Sequence, residues 1–238
     1  AITDAAATGD AAENEITVKT NVAGSLYGGY TAGAGRASGN TVTLARGNVG
    51  GDVTGGHSNG GETRNNTINL GDGTAPATIS VTGTIYGGNK TGAGEDAGNT
   101  LNVKANATAK DIKNFAGMKF TINQHINPAA AMLTLTEATG TKELDWRTLE
   151  VDTQSTLGVP TKSYEAYTQK LMENTHGLAF EKNSVDTYVD IGLREIKNDG
   201  KFEYTLDTDT HSANAKRVDL VGYQYKDNRT ATYRASDG

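Results

Sequence analysis

The side chains that could do chemistry in this chain are its 28 Asp and Glu, its 22 Lys and Arg and its four His. Glycan hydrolysis needs two carboxylates held across one cleft. The close acid pairs here, Glu95–Asp96 and Asp207–Asp209, fall in turns or on strand faces and read as solvated surface. His57, His125, His176 and His211 show neither HxH nor HxxH spacing, so no metal site is expected. Cysteine is absent, which excludes disulfides and thiolate ligands. GAGED at 92–96 is a single Gly-Asp fragment, whereas calcium-binding repeats of that kind work in tandem. GAGRASG at 33–39 does not join a strand to a helix, so it is not a phosphate loop, and no GxSxG elbow is present. No catalytic residue, metal or cofactor is expected, and the chain is read as a non-enzyme.

Binding chemistry is a different matter. Tyr27, Thr54 and Tyr86 recur at one position of a repeated block, and Tyr30, His57 and Asn89 recur three residues later. Aromatic and amide groups aligned on a rigid surface can hold a glycan or a partner protein. The competing reading is that they only shield the backbone of glycine-rich turns.

The elements that would align them form a repeat. NVAGSLYGGY (21–30), NVGGDVTGGH (48–57) and SVTGTIYGGN (80–89) are copies of one block, and DIKNFAG (111–117) is a degenerate fourth. Leu26, Val53, Ile85 and Ile112 are then equivalent, spaced by 27, 32 and 27 residues. The longer interval contains DGTAPATIS (72–80), a loop insertion placed in a turn. A second block, GNTVTL, NNTINL and GNTLNV, follows each full copy, and NEITV (14–18) precedes the first. Its apolar residues alternate, which is strand periodicity. FTI at 120–122 is expected to end the series. Gly-Gly, Gly-Asn and Asn-Gly clusters between the runs are expected to supply positive φ for tight turns.

Equivalent strands of successive coils would pair in parallel about 4.8 Å apart. Asn40, Asn66 and Asn99 would then stack as a structural amide ladder. Composition agrees with a long, thin core: 30 Gly, four Phe and one Trp in 238 residues leave little bulk for a compact globule. The formal charge of −6, with no basic cluster, argues against nucleic acid as a partner. No apolar run reaches the roughly 20 residues of a membrane-spanning helix, and no signal peptide is visible.

The GG-containing blocks, with DIKNFAGMKFTI (111–122) and AMLTLTEA (131–138) closing them, resemble the passenger domains of bacterial autotransporters. Ile112, Phe115, Met118 and Phe120 occupy the apolar positions of the closing segment. The resemblance covers about 13–138. It implies an all-β, right-handed parallel β-helix (β-solenoid), exported through an outer-membrane barrel and displayed at the cell surface as an adhesin. This chain would be a C-terminal piece of the passenger. A host surface protein, a glycan or self-association would supply its partner.

The expected organisation is a poorly ordered or edge segment at 1–12, parallel coils at 13–139 and a C-terminal β cap at 140–238. In the cap, Val185–Leu193, Phe202–Leu206 and Val218–Leu220 alternate as strands, with Asn198-Asp199-Gly200 as a hairpin turn. Tyr164, Tyr167 and Leu171 leave helix and strand both open over 161–173, with Gly177 as a possible helix cap. Trp146 is expected to plug the end of the core. Two other functions stay open: a polysaccharide-active β-helix enzyme, and a folding cap with no ligand of its own.

Overall fold

The computed structural model describes residues 2–3, 8–153, 166–180, 194–198, 202–210 and 214–224. In chain order the strands begin with β1 (Ile2–Thr3), β2 (Glu15–Val18), β3 (Leu26–Thr31), β4 (Thr41–Leu44), β5 (Gly47–Val49) and β6 (Val53–Ser58). β7 (Thr63–Arg64), β8 (Thr67–Leu70), β9 (Thr78–Lys90), β10 (Asp96–Ala97), β11 (Thr100–Val103) and β12 (Asn106–Lys113) follow. After them come β13 (Gly117–Ile122), β14 (Leu133–Leu135), β15 (Thr141–Leu144), β16 (Leu149–Thr153) and β17 (Ala166–Phe180). The last three are β18 (Arg194–Asn198), β19 (Phe202–Thr208) and β20 (Asn214–Gln224). Among the described residues there is no α-helix, only a 3-10 turn at Trp146–Thr148.

These strands wind into a parallel β-solenoid. A narrow sheet runs β2-β4-β8-β11-β13-β16, with every pairing parallel. A wide sheet runs β1-β3-β6-β9-β12-β14-β17 in parallel and then turns antiparallel through β20-β19-β18. TVTL, TINL and TLNV share one burial pattern, in which the second and fourth residues are buried. That is why alternation in the sequence becomes a sheet with one dry face.

The dry faces build the core as columns. In the narrow sheet, Ile16, Val42, Ile68, Leu101, Met118 and Leu149 stack in register, and beside them Val18, Leu44, Leu70, Val103, Phe120 and Val151. From the wide sheet, Leu26, Val53, Ile85 and Ile112 face inward in one continuous register. Val42, Val53, Ile68, Ile85 and Leu101 have no exposed surface. Burying each such side chain contributes about 1.5–3 kcal/mol. The insertion at 72–77 lies between β8 and β9 and leaves these registers intact.

A polar column lines one corner. The Nδ2 of Asn40 donates to Oδ1 of Asn66 at 2.9 Å, and that of Asn66 to Oδ1 of Asn99 at 3.0 Å. The backbone N–H of Asn40 and of Asn66 donates to the same acceptors. The second amide hydrogen of each reaches a carbonyl of the preceding turn: Ala11 for Asn40, Ala37 for Asn66 and Thr63 for Asn99. Asn14, which sequence reasoning left out, is a further member, donating to Asn40 Oδ1 at 2.7 Å. The residue before each rung has positive φ: Glu13 at 56°, Gly39 at 67°, Asn65 at 54° and Gly98 at 64°. This left-handed step swings the amide into the column.

The structure corrects several expectations. The Gly-Gly pairs do not carry positive φ. They lie inside β3, β6 and β9, and they are glycine because the ladder passes beside them. A Cβ on Gly55 would sit 2.8 Å from Asn66 Cβ, and one on Gly87 would sit 2.6 Å from Asn99 Cβ. Close approach, not turn geometry, selects glycine here. Parallel pairing also continues beyond Ile122, through β16 and β17, although the sequence repeat has faded.

From Ala166 onward, the segment left open between helix and strand is strand, paired to β14 on one side and β20 on the other. A register shift between Lys170 and Met172 buries Leu171 and Met172 in succession, which breaks the strand period. Gly177, at φ 117°, sits inside β17 and caps no helix. β18 and β19 pair antiparallel across the predicted hairpin turn. The run 185–193, the Trp146 side chain and Tyr164 lie outside the described residues.

Candidate functional site

A Gly-Gly pair in mid-strand has a consequence for the surface. In plain alternation Tyr27 and Tyr30 would face opposite sides of β3. The register to β6 keeps one offset through Tyr27↔Thr54, Gly29↔Gly56 and Tyr30↔His57, but Gly28 and Gly29 are both buried, so the alternation breaks between the two tyrosines. The chain turns a corner at the glycines, and Tyr27 and Tyr30 meet outside the core, their ring centroids 5.4 Å apart at 80°. His57 of the next coil stacks on Tyr30 at 4.7 Å and 10°, and Tyr27 meets its edge at 5.9 Å and 75°. Such pairs contribute about 0.5–1.5 kcal/mol each beyond burial.

Asn59 fixes the imidazole. Its Nδ2 donates to the Ala32 carbonyl at 3.1 Å, which leaves Oδ1 as an acceptor 3.0 Å from His57 Nε2. The ring hydrogen therefore sits on Nε2. Nδ1 is buried and makes no hydrogen bond. His57 is accordingly a half-buried strand residue held on two sides.

The two rows of candidate residues are in register as the repeat implied: Tyr27, Thr54 and Tyr86 in one, Tyr30, His57 and Asn89 in the other. Their exposure is uneven. Tyr27 is 39% exposed, the exposed large hydrophobic of the described residues, whereas Thr54 is 1% exposed. Threonine is too short to reach past the tyrosines in register on either side. Tyr30, Tyr86, His57 and Asn89 are half-buried. The accessible feature is thus an aromatic corner formed by Tyr27, Tyr30 and His57. Asn40, Asn66 and Asn99, each fully buried, serve the ladder.

Elsewhere some charged groups pair on the surface. Arg64 bridges Glu62 and Glu95, Lys110 meets Glu137 at 3.6 Å, and Lys119 meets Asp152 at 3.5 Å. Asp96 accepts from the Thr63 hydroxyl. Among the described residues no three His, Asp or Glu gather where they could hold a metal ion. No helix among them is long and apolar enough to cross a membrane.

Comparison with known proteins adds no relative: no family model, curated protein or solved structure matches the chain.

Proposed function

We propose that this chain is a passenger fragment of a bacterial autotransporter, a non-catalytic stalk and adhesin at the cell surface. It presents its aromatic corner to a host protein or glycan. Two things support this reading: the resemblance of the GG blocks and their closing segment, and a solenoid that holds side chains at fixed spacing from coil to coil. The observation that carries it is the cluster of Tyr27, Tyr30 and His57. Two tyrosines and an imidazole are packed edge and face on a rigid corner, with one ring open to solvent. Preorganised aromatic groups bind with little loss of side-chain entropy.

The test is binding of the labelled chain to immobilised glycans and extracellular-matrix proteins, with sedimentation velocity to detect self-association. Tyr27→Ala/Tyr30→Ala is expected to lose at least tenfold in affinity while keeping the β circular-dichroism spectrum. Equal binding by the double variant would overturn the assignment of the corner. An outer-membrane β-barrel encoded downstream in the same gene is expected for the export route, and a gene without one would refute it.

A further inference from the structure

The ladder ends at Asn99, and the coil beyond it opens. The next position is occupied by Ala116, whose N–H donates to the Asn99 carbonyl at 2.8 Å. Around this break lies a cleft of about 520 Å³, walled by the β12–β13 turn on one side and by β15 on the other. That volume is within the range of small-molecule sites.

Its charge is one-sided. Asp96, Asp111, Glu137, Glu143 and Asp145 line it, against Lys113 and Lys142. Glu137 is held as a carboxylate, its pKa lowered first by the backbone N–H of Thr139. Asp111 is the unusual member, only 3% exposed. Its Oδ1 has no hydrogen-bond partner, and its Oδ2 is 3.9 Å from Lys113 Nζ, a cation that is itself half-exposed. Two coils back, the same corner shows what a satisfied carboxylate looks like: Asp52 Oδ1 accepts from the N–H of Thr84, the register partner of Asp111. A buried carboxylate oxygen without a donor is costly and uncommon. Phe115 supplies an aromatic wall to the cleft, its ring lying over Gly87.

The geometry points to a binding site for a guanidinium group. Asp111 at its floor would provide the charged acceptor, Phe115 a stacking face, and the surrounding carboxylates the attraction. Guanidinium is favoured over ammonium because it is planar, stacks on an aromatic ring and is more weakly hydrated, while Oδ2 is the oxygen of Asp111 that it can reach, Oδ1 being sealed from solvent. Lys113 then serves as the intramolecular cation that the ligand displaces. The site is separate from the aromatic corner and stands whether or not that corner binds anything.

Calorimetric titration of the full chain tests this, with a capped Gly-Arg-Gly peptide, agmatine and a capped Gly-citrulline-Gly peptide as probes. The arginine peptide and agmatine are expected to bind, and the uncharged citrulline peptide at least tenfold more weakly. Whichever charged probe is tighter tells whether the group belongs to a partner's side chain or to a free small cation. Asp111→Asn should lose at least tenfold in affinity without a lower unfolding midpoint, since it removes a buried carboxylate whose Oδ1 has no donor and whose cation, Lys113, stands 3.9 Å away. Phe115→Leu should weaken binding severalfold. Failure of both charged probes to bind, equal affinity for the citrulline peptide, or unchanged binding by Asp111→Asn would each overturn the site.

Discussion

The side-chain amide of Asn66 donates to Oδ1 of Asn99 in the next coil at 3.0 Å, while its own Oδ1 accepts the amide of Asn40 at 2.9 Å. One side chain thus ties three coils together through groups that have no access to water. Removing it orphans the N–H and Nδ2 of Asn40, the carbonyl of Ala37 and part of the acceptor capacity of Asn99. Each unsatisfied buried group costs about 1–3 kcal/mol. Asn66→Ala is therefore expected to lower stability by at least about 3 kcal/mol in urea unfolding. Asn14→Ala, at the half-buried first rung, should cost about 1 kcal/mol. Equal effects at the two positions would contradict the ladder account.

The glycine pairs make a second, independent prediction. Gly55→Ala would place a methyl 2.8 Å from Asn66 Cβ and 2.5 Å from the Gly87 carbonyl oxygen. Overpacking of this kind costs about 1–3 kcal/mol. Adding Asn66→Ala should not rescue it, because the Gly87 carbonyl and the Cβ of residue 66 both remain in place. Full rescue in the double variant would contradict the close-approach account.

Asp219 in β20 is 5% exposed, and burial raises its pKa although Arg217 Nε lies 2.7 Å away. The folded chain therefore holds this proton at pH values where the unfolded chain, near the ordinary 3.8, has released it. The group favours folding below that value, and its contribution fades as pH rises through the raised one. Asp219→Asn should thus gain stability relative to the parent as pH rises above the ordinary 3.8, as read from unfolding midpoints at each pH. A relative gain that shrinks over that rise would reverse the sign argued here.

The wide sheet's parallel part ends at β17, whose far edge is covered by β20. Deleting residues 181–238 would expose that edge, and with it a row of unpaired backbone groups that invites intermolecular pairing. The truncated chain is expected to unfold at a lower denaturant concentration and to form aggregates on size-exclusion chromatography. A monomeric truncation with an unchanged midpoint would remove the capping role of these strands.

The columns were legible because Val42, Ile68 and Leu101, like Leu26, Val53 and Ile85, recur at fixed places in near-identical blocks. Parallel in-register stacking is the arrangement that lets such a repeat bury itself. Three ladder rungs were legible for the same reason. Asn14 was not, since its block is a fragment. The continuation through Leu149 and Met172 was hidden because those coils keep the pattern of burial without the pattern of residues. The role of the Gly-Gly pairs was invisible for a physical reason: a glycine required by a neighbour's proximity looks the same in sequence as one required by φ. Tyr27 and Tyr30 were found as a repeat position, but their meeting across a corner depends on Gly28 and Gly29 being buried in succession, which breaks the alternation. Asp111 carried no signal beyond a degenerate repeat, and Phe115 was read only as an apolar position of the closing segment, because the cleft arises where the repeat stops.

The stacked register itself is open to direct test, since the chain has no native cysteine to interfere. Thr43 and Asn69 are register partners on the outer face of the narrow sheet, and Asn102 lies one strand further along. A disulfide requires Cα atoms about 4.4–6.8 Å apart, which neighbouring strands satisfy and alternate strands do not. Mild oxidation should close Thr43→Cys/Asn69→Cys within one molecule and leave Thr43→Cys/Asn102→Cys reduced, as read by thiol titration and mass spectrometry. A reduced first pair, or closure of the second at the same rate, would contradict the solenoid on which the rest of the account is built.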